Sequence, residues 1–190
     1  APREHRARPR SARAPRPVLK YQLLPELHEM NPGNAIQGYH KCFSEQQFFF
    51  FNKAANEKRD KWATMPLKDL PVKELRGYGG LALRQADYAA RLDSADWQIL
   101  LKLKTEGIEL LVPDLQQMRM IAYALQVRLR GEVADRRFDD AIVTTKTLFA
   151  MSRHMGEHPS AVGFLVANAV ASLVIEPFEE LVQQPGCPNL

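Results

Sequence analysis

The sequence predicts an all-α protein made of antiparallel helical hairpins, packed as an irregular bundle or short solenoid. Three observations predict it. Residues 114–176 carry three helical patterns in succession, beginning at Asp114-Leu115 and closing at Pro177. The links between them, Asp135-Arg136-Arg137 and Gly156-Glu157-His158-Pro159, are short, and short links make antiparallel neighbours. The last pattern, Ser160 to Ile175, holds no charged residue. A helix apolar on every side has to be surrounded, so this one is expected at the centre of the core.

Composition bounds the rest. A chain of 190 residues suffices for one good core, and 45% hydrophobic with 25% charged residues is ordinary for a globular protein. The net charge of +4 is unevenly placed. Residues 1–20 hold six arginines and Lys20 against Glu4 alone, a local +6 that leaves the remainder at −2. The basic character therefore belongs to the N-terminal stretch, and nucleic-acid binding by the body of the protein is not expected. The uncharged run of 16 residues falls short of a membrane span, which needs ~20. Two cysteines, Cys42 and Cys187, are too few for a disulfide framework and are read as thiols.

Residues 1–17 interleave Arg with Ala and with Pro2, Pro9, Pro15 and Pro17. Proline blocks regular pairing and little here can be buried, so the stretch reads as a flexible tail ahead of a single helical domain over 18–190. The chain opens at Ala1 and is read as a processed or trimmed product, the tail being a solvated linker behind a removed targeting segment. A sharper reading makes it a basic arm for phosphate or anionic lipid, although it lacks aromatics to stack on bases.

Tyr21 to Glu29 forms a short apolar lead-in. Asn31-Pro32-Gly33-Asn34 is a turn whose Asn34 caps a helix carrying Ile36, Tyr39 and Phe43. Ser44-Glu45-Gln46-Gln47 has the form of a capping box opening a second helix, and the four phenylalanines Phe48 to Phe51 after it are expected in the core. Lys53 to Lys61 is a polar helix leading to Trp62. Asp69 is placed to cap a short helix that ends at Gly77. Gly77-Tyr78-Gly79-Gly80 lacks the spacing of a phosphate-binding loop and reads as a turn. Ala82, Ala86 and Ala89 form a small-residue stripe on the next helix, and Asp93-Ser94-Ala95-Asp96 caps the segment containing Trp97. Ile108 to Val112 is a short apolar bridge.

In the helical centre, Leu115, Met118, Ala122, Leu125 and Leu129 repeat every three or four residues. Gln116, Arg119, Gln126, Arg128 and Arg130 fall mostly opposite, which makes the helix amphipathic. Phe138, Ala141, Ile142, Thr145 and Leu148 mark the inner face of the second helix, behind Asp139 and Asp140 at its N-terminus. Gly163, Ala167 and Ala171 give the third helix a groove for close backbone approach.

The segment Arg137-Phe138-Asp139-Asp140-Ala141-Ile142 resembles the second helix of a tetratricopeptide-type hairpin, but no copy recurs about 34 residues away. A longer stretch, from about Pro17 to Pro188, resembles an uncharacterised family of exported helical proteins of planctomycete-type bacteria. The residues that carry this likeness are Leu24-Pro25-Glu26-Leu27, Asn31 to Asn34, Asp96-Trp97, Leu111 to Leu115, Arg137 to Ala141 and Arg153 to Pro159. The resemblance implies export to the periplasm or beyond and a chain that continues past Leu190. It implies no activity.

One cluster has the look of catalysis. His154-Met155-Gly156-Glu157-His158 matches the H-x-x-E-H pattern of inverted zinc peptidases, in which both histidines bind metal and the glutamate activates water. That chemistry needs both rings on one face of a continuing helix. Gly156 and Pro159 predict instead that the helix ends inside the motif, Gly156 as a left-handed cap. Glu176, Glu179 and Glu180 are the nearest third ligands, and His5, His28 and His40 show no ligand spacing. The expected function is therefore a non-catalytic scaffold or protein-interaction module with a protein partner. No catalytic residue, metal ligand or cofactor is assigned, and the alternative is a zinc-dependent hydrolase using His154, Glu157 and His158.

Overall fold

The computed structural model describes residues 23–106 and 113–188. The N-terminal tail and the Ile108–Val112 bridge lie outside these residues. The fold is essentially all-α. Its helices are α1 (Ala35–Glu45), α2 (Gln47–Phe51), α3 (Lys53–Thr64), α4 (Val72–Leu75), α5 (Gly80–Ala89), α6 (Leu100–Glu106), α7 (Pro113–Ala134), α8 (Phe138–Gly156) and α9 (Ala161–Val182). Two short strands, β1 (Asn31–Asn34) and β2 (Leu92–Ser94), pair in parallel.

α7 is the element around which the others gather, touching α1, α3, α4, α5, α8 and α9. It opens with Pro113, whose missing N–H costs nothing in a first turn, and with Asp114 at the positive end of the helix dipole. From Ile121 to Val133 almost every side chain is buried, Gln126, Arg130 and Glu132 included. The expected polar outer face is thus absent from its second half. α7 ends in a Schellman turn: Arg137 N–H donates to Glu132 O at 2.9 Å and Arg136 N–H to Val133 O at 3.0 Å. Arg136 takes the left-handed position (φ 57°) usually given to glycine. This tight reversal sets α8 antiparallel to α7, as the short link predicts.

Arg128, Arg130 and Glu132 of the central helix are each answered from another element, whereas Arg119 bonds Gln116 and Tyr123 of α7 itself. Arg130, 2% exposed, donates from Nη1 to the carbonyls of Trp62 and Ala63, both at 2.8 Å, and from Nη2 to that of Met65 at 2.7 Å. These carbonyls close α3, whose last turn has no intrahelical donors for them. The same guanidinium grips Glu180 of α9 through Nε at 2.8 Å and Nη2 at 2.7 Å. One side chain therefore ties α3, α7 and α9 together.

α9 is not the centre. Its Gly163, Ala167, Val170, Val174 and Leu181 are buried, and α8 and α7 are its main neighbours. Val162, Leu165 and Ile175 are more than half exposed. The small residues do serve close approach, since a side chain at Gly163 would collide with the His158 ring, and Ser152 Oγ of α8 reaches Ala167 O at 2.8 Å. Pro177 does not stop the helix, which runs on to Val182 with the proline buried. By length and composition, α9 is the one helix among the described residues able to cross a membrane. Its inner side, however, is already packed within the bundle.

Nearer the N-terminus, Asn34 caps α1 by accepting from Ile36 N–H at 3.0 Å. Ala82, Ala86 and Ala89 are buried in α5, and α1 meets that helix closely: a side chain at Gly38 would come within 2.8 Å of Ala89 Cβ. Several local expectations are corrected. α1 continues through Ser44 and Glu45, so no capping box opens α2; the box that forms is the Glu26–Glu29 turn. Phe50 is buried, but Phe48 and Phe51 are exposed, because a single five-residue turn cannot hide four consecutive rings. Asp69 ends a 3-10 turn rather than capping a helix, and Pro71 stands at the N-cap of α4. Asp93 and Ser94 belong to strand pairing: Asp93 Oδ1 accepts from Gly33 N–H and Ser94 Oγ donates to Gly33 O. The next helix then waits until Leu100. Leu27, expected in an apolar lead-in, is 93% exposed.

Replacing Arg130 by Met strands Glu180 and three carbonyls, and is expected to cost about 3–5 kcal/mol in chemical denaturation. Lys53→Ala, at an exposed pair with Glu57, should change stability by less than about 0.5 kcal/mol. Ala167→Leu overfills the α8–α9 contact and should cost about 1–3 kcal/mol.

Candidate functional site

The H-x-x-E-H residues are placed by the junction of α8 and α9. α8 ends at Gly156, with Glu157 as the C-cap (φ −79°, ψ −3°) and His158 N–H donating to Met155 O at 3.1 Å. Gly156 is not among the left-handed glycines, so the helix ends inside the motif without the cap expected of it. His154 lies within the last turn and His158 lies beyond it.

Their rings have separate partners. His154, wholly buried, stands between Tyr39 Oη at 3.1 Å from Nδ1 and Arg153 Nη2 at 3.2 Å from Nε2. A guanidinium only donates, so Nε2 accepts and the proton sits on Nδ1, facing the tyrosine oxygen. Burial, helped by Arg153, pushes this imidazole down to about 4, with the Leu92 carbonyl pulling the other way. His158 rests edge-on against Trp97, ring centres 4.7 Å apart, and its Nδ1 accepts from Ser160 N–H at 3.2 Å. Ser160 Oγ, 2.8 Å from that nitrogen, caps α9 by accepting from Gly163 N–H. Trp97 Nε1 donates to His154 O at 3.1 Å. The motif thus fastens the 95–99 loop, α8 and α9 to one another. Glu157 is exposed, and Glu180, one of the nearest third ligands, is held by Arg130. Among the described residues, no three His, Cys, Asp or Glu side chains gather closely enough to hold a metal ion.

A second constellation was not foreseen as a unit. A cleft of about 400 Å³ opens between the Gly77–Gly80 turn, α5, α7 and the start of α8, and Tyr78, Arg84, Arg128, Glu132, Arg137 and Asp140 line it. Gly77, Gly79 and Gly80 all have positive φ, which lets the chain make this turn ahead of α5. Arg128 is fixed by Asp87 of α5 through a two-pronged pair, Nη1–Oδ2 2.9 Å and Nη2–Oδ1 2.6 Å, and by Thr144 Oγ1 of α8, 3.1 Å from Nε. Thr147 Oγ1 donates to Asp87 Oδ1 at 2.8 Å. Glu132, one turn from Arg128, accepts from Thr144 Oγ1 at 2.6 Å and keeps its other oxygen 3.6 Å from Arg128 Nε.

Only 5% of Glu132 is exposed. Burial pushes its carboxyl up to about 7, against the pull of Arg128 and of the Thr144 hydroxyl. Sequence periodicity set Arg128 among the outward residues and assigned Glu132 no role. Their i, i+4 spacing, an Arg and a Glu one turn apart on α7, is the signal that could have paired them.

The fold and cleft define an all-α bundle with a polar, charge-lined recess beside its central helix. No family model, no curated protein and no solved structure matches the chain.

Glu132 gives a pH signature with a definite sign. Its folded value lies above the ordinary 4.5, so the stability it contributes is full below about 4.5 and is lost as pH rises through about 7. His154 acts oppositely, since a depressed imidazole loses stability as pH falls from 6.5 towards about 4. Comparing a variant with the parent separates the two. Glu132→Gln should gain in melting temperature relative to the parent between pH 5 and pH 8. A difference that stays constant across that range would show that Glu132 does not titrate there.

Proposed function

We propose that this chain is a non-catalytic interaction module that docks an apolar helix of a partner protein on the outer face of α9. The observation that carries the reading is that face itself. Ala161, Val162, Phe164, Leu165, Ala169 and Ile175 are all exposed, Phe164 at 60% and Leu165 at 65%. At 3.6 residues per turn they share one arc of the helix, opposite Gly163, Ala167, Val170 and Val174. Asn168 and Ser172 fall in the same arc, bonded back to the Phe164 and Asn168 carbonyls. The face is therefore uncharged and mostly apolar, a recurrent mark of an interaction site.

The chemistry of the face selects its occupant. No charge falls between Ala161 and Ile175, so a partner must bring an equally uncharged stripe. Ala161, Ala169 and Ser172 leave shallow places for a second helix's side chains to enter. Exposed Glu176 and Glu179 follow at the C-terminal end, where basic residues of the partner would find their counterparts. A helix laid against an apolar face is a common recognition mode. The zinc-hydrolase alternative would need His154 and His158 to leave Tyr39, Arg153, Ser160 and Trp97 and turn to one ion. On the family resemblance, the module works outside the cytoplasm.

A photo-crosslinking residue at Ala169, followed by mass spectrometry of the joined peptides from native extract, tests the proposal. The expected adduct is an apolar helical segment bordered by Lys or Arg. Phe164→Glu should abolish that adduct with the melting temperature unchanged, because an exposed substitution shifts stability by less than about 0.5 kcal/mol. Adducts to a second copy alone, or co-flotation with phospholipid vesicles that Phe164→Glu abolishes, would overturn it.

A further inference from the structure

The cleft beside α7 is independent of the α9 face, and one of its cations has no partner among the described residues. Asp87 takes both terminal nitrogens of Arg128. Arg137 is answered by Asp135 at 3.1 Å and by Asp140 at 2.6 Å. Arg84, exposed on α5 and lining the same cleft, has neither an ion pair nor a hydrogen bond among the described residues. A guanidinium carries five N–H donors, so Arg128 and Arg137 keep some unspent beyond the bonds just given. On the acceptor side, Glu132 Oε1 stands 3.6 Å from Arg128 Nε, beyond hydrogen-bond length. The cleft therefore offers one cation unanswered among the described residues, further N–H donors around it and one under-used carboxyl oxygen.

The support behind these groups is rigid. Thr144 on α8 and Asp87 on α5 hold Arg128 from two sides, Thr147 steadies Asp87, and Thr144 also holds Glu132. Such backing presents a recognising group in one geometry. The cleft volume of about 400 Å³ suits a ligand of metabolite size. We propose that the cleft binds a small ligand bearing a carboxylate or phosphate, held by Arg84 and by the unspent N–H groups of Arg128 and Arg137, with Glu132 receiving an ammonium of the same ligand. Both anions match a planar guanidinium through paired oxygens. Glu132, kept near its titration point by burial, is readily ionised by an incoming cation.

The experiment follows the melting temperature of the intact chain against inorganic phosphate and, separately, acetate, with chloride holding ionic strength constant. The expected result is a saturable rise with at least one anion. Arg84→Ala, at an exposed position, should move the midpoint at least tenfold, whereas Lys53→Ala on α3 should leave it in place. For the anion that binds, its ammonium-bearing counterpart, phosphoethanolamine or glycine, should bind at least tenfold tighter. Glu132→Gln should erase that advantage without erasing anion binding. Failure of both anions to give a saturable rise, or an Arg84→Ala midpoint equal to the parent's, overturns the site. An ammonium-bearing probe that binds no tighter than its parent anion overturns the role of Glu132.

Discussion

The buried Arg130 guanidinium is the constraint on which the bundle depends. A charge taken from water must recover its hydration from fixed partners, and those of Arg130 lie on two other elements. The carbonyls of Trp62, Ala63 and Met65 bring the C-terminal end of α3 to it, and Glu180 brings α9. Apolar packing is tolerant of small slips, but this arrangement is not: displacing either neighbour by a turn would leave donors and acceptors stranded. Polar contacts of this kind act on which packing is chosen as much as on how stable it is.

The same logic repeats two positions earlier on the helix. Arg128 ties α5 to α7 through Asp87, and the threonines of α8 complete the network. Arg128 and Arg130 diverge around the α7 axis, so together they orient most of the elements packed on it. Glu132 shares Thr144 with this network, yet burial outweighs the attraction of its neighbours. A carboxyl in that condition is costly for stability alone, and its place on the wall of a polar cleft gives that cost a use.

With α7 enclosed, α9 is left as an outer layer. It packs one stripe of small and branched residues on its neighbours and turns Phe164, Leu165 and Ile175 outward. Its uncharged composition is therefore shared between two faces, one packed inside the bundle and one turned outward. The H-x-x-E-H residues lie where this layer begins. The end of α8 at Gly156 separates the two histidines, and each then settles a local demand for hydrogen bonds or packing.

By itself the sequence determined the fold class, the α7–α8–α9 succession, the Asn34 cap and the small-residue contacts at Ala82, Ala86, Ala89, Gly163 and Ala167. It also placed the break inside the histidine motif. These are consequences of periodicity, backbone freedom and turn chemistry, which act over a few neighbouring residues. Tertiary structure alone decided which helix is central, and it reversed the expectation that charge marks the outside: α7 carries charges and is enclosed, whereas α9 carries none over Ala161–Ile175 and is half exposed. The physical reason is that burying a charge depends on partners distant in the chain, such as Asp87 for Arg128 and Glu180 for Arg130. No local pattern around α7 announces where those partners will stand.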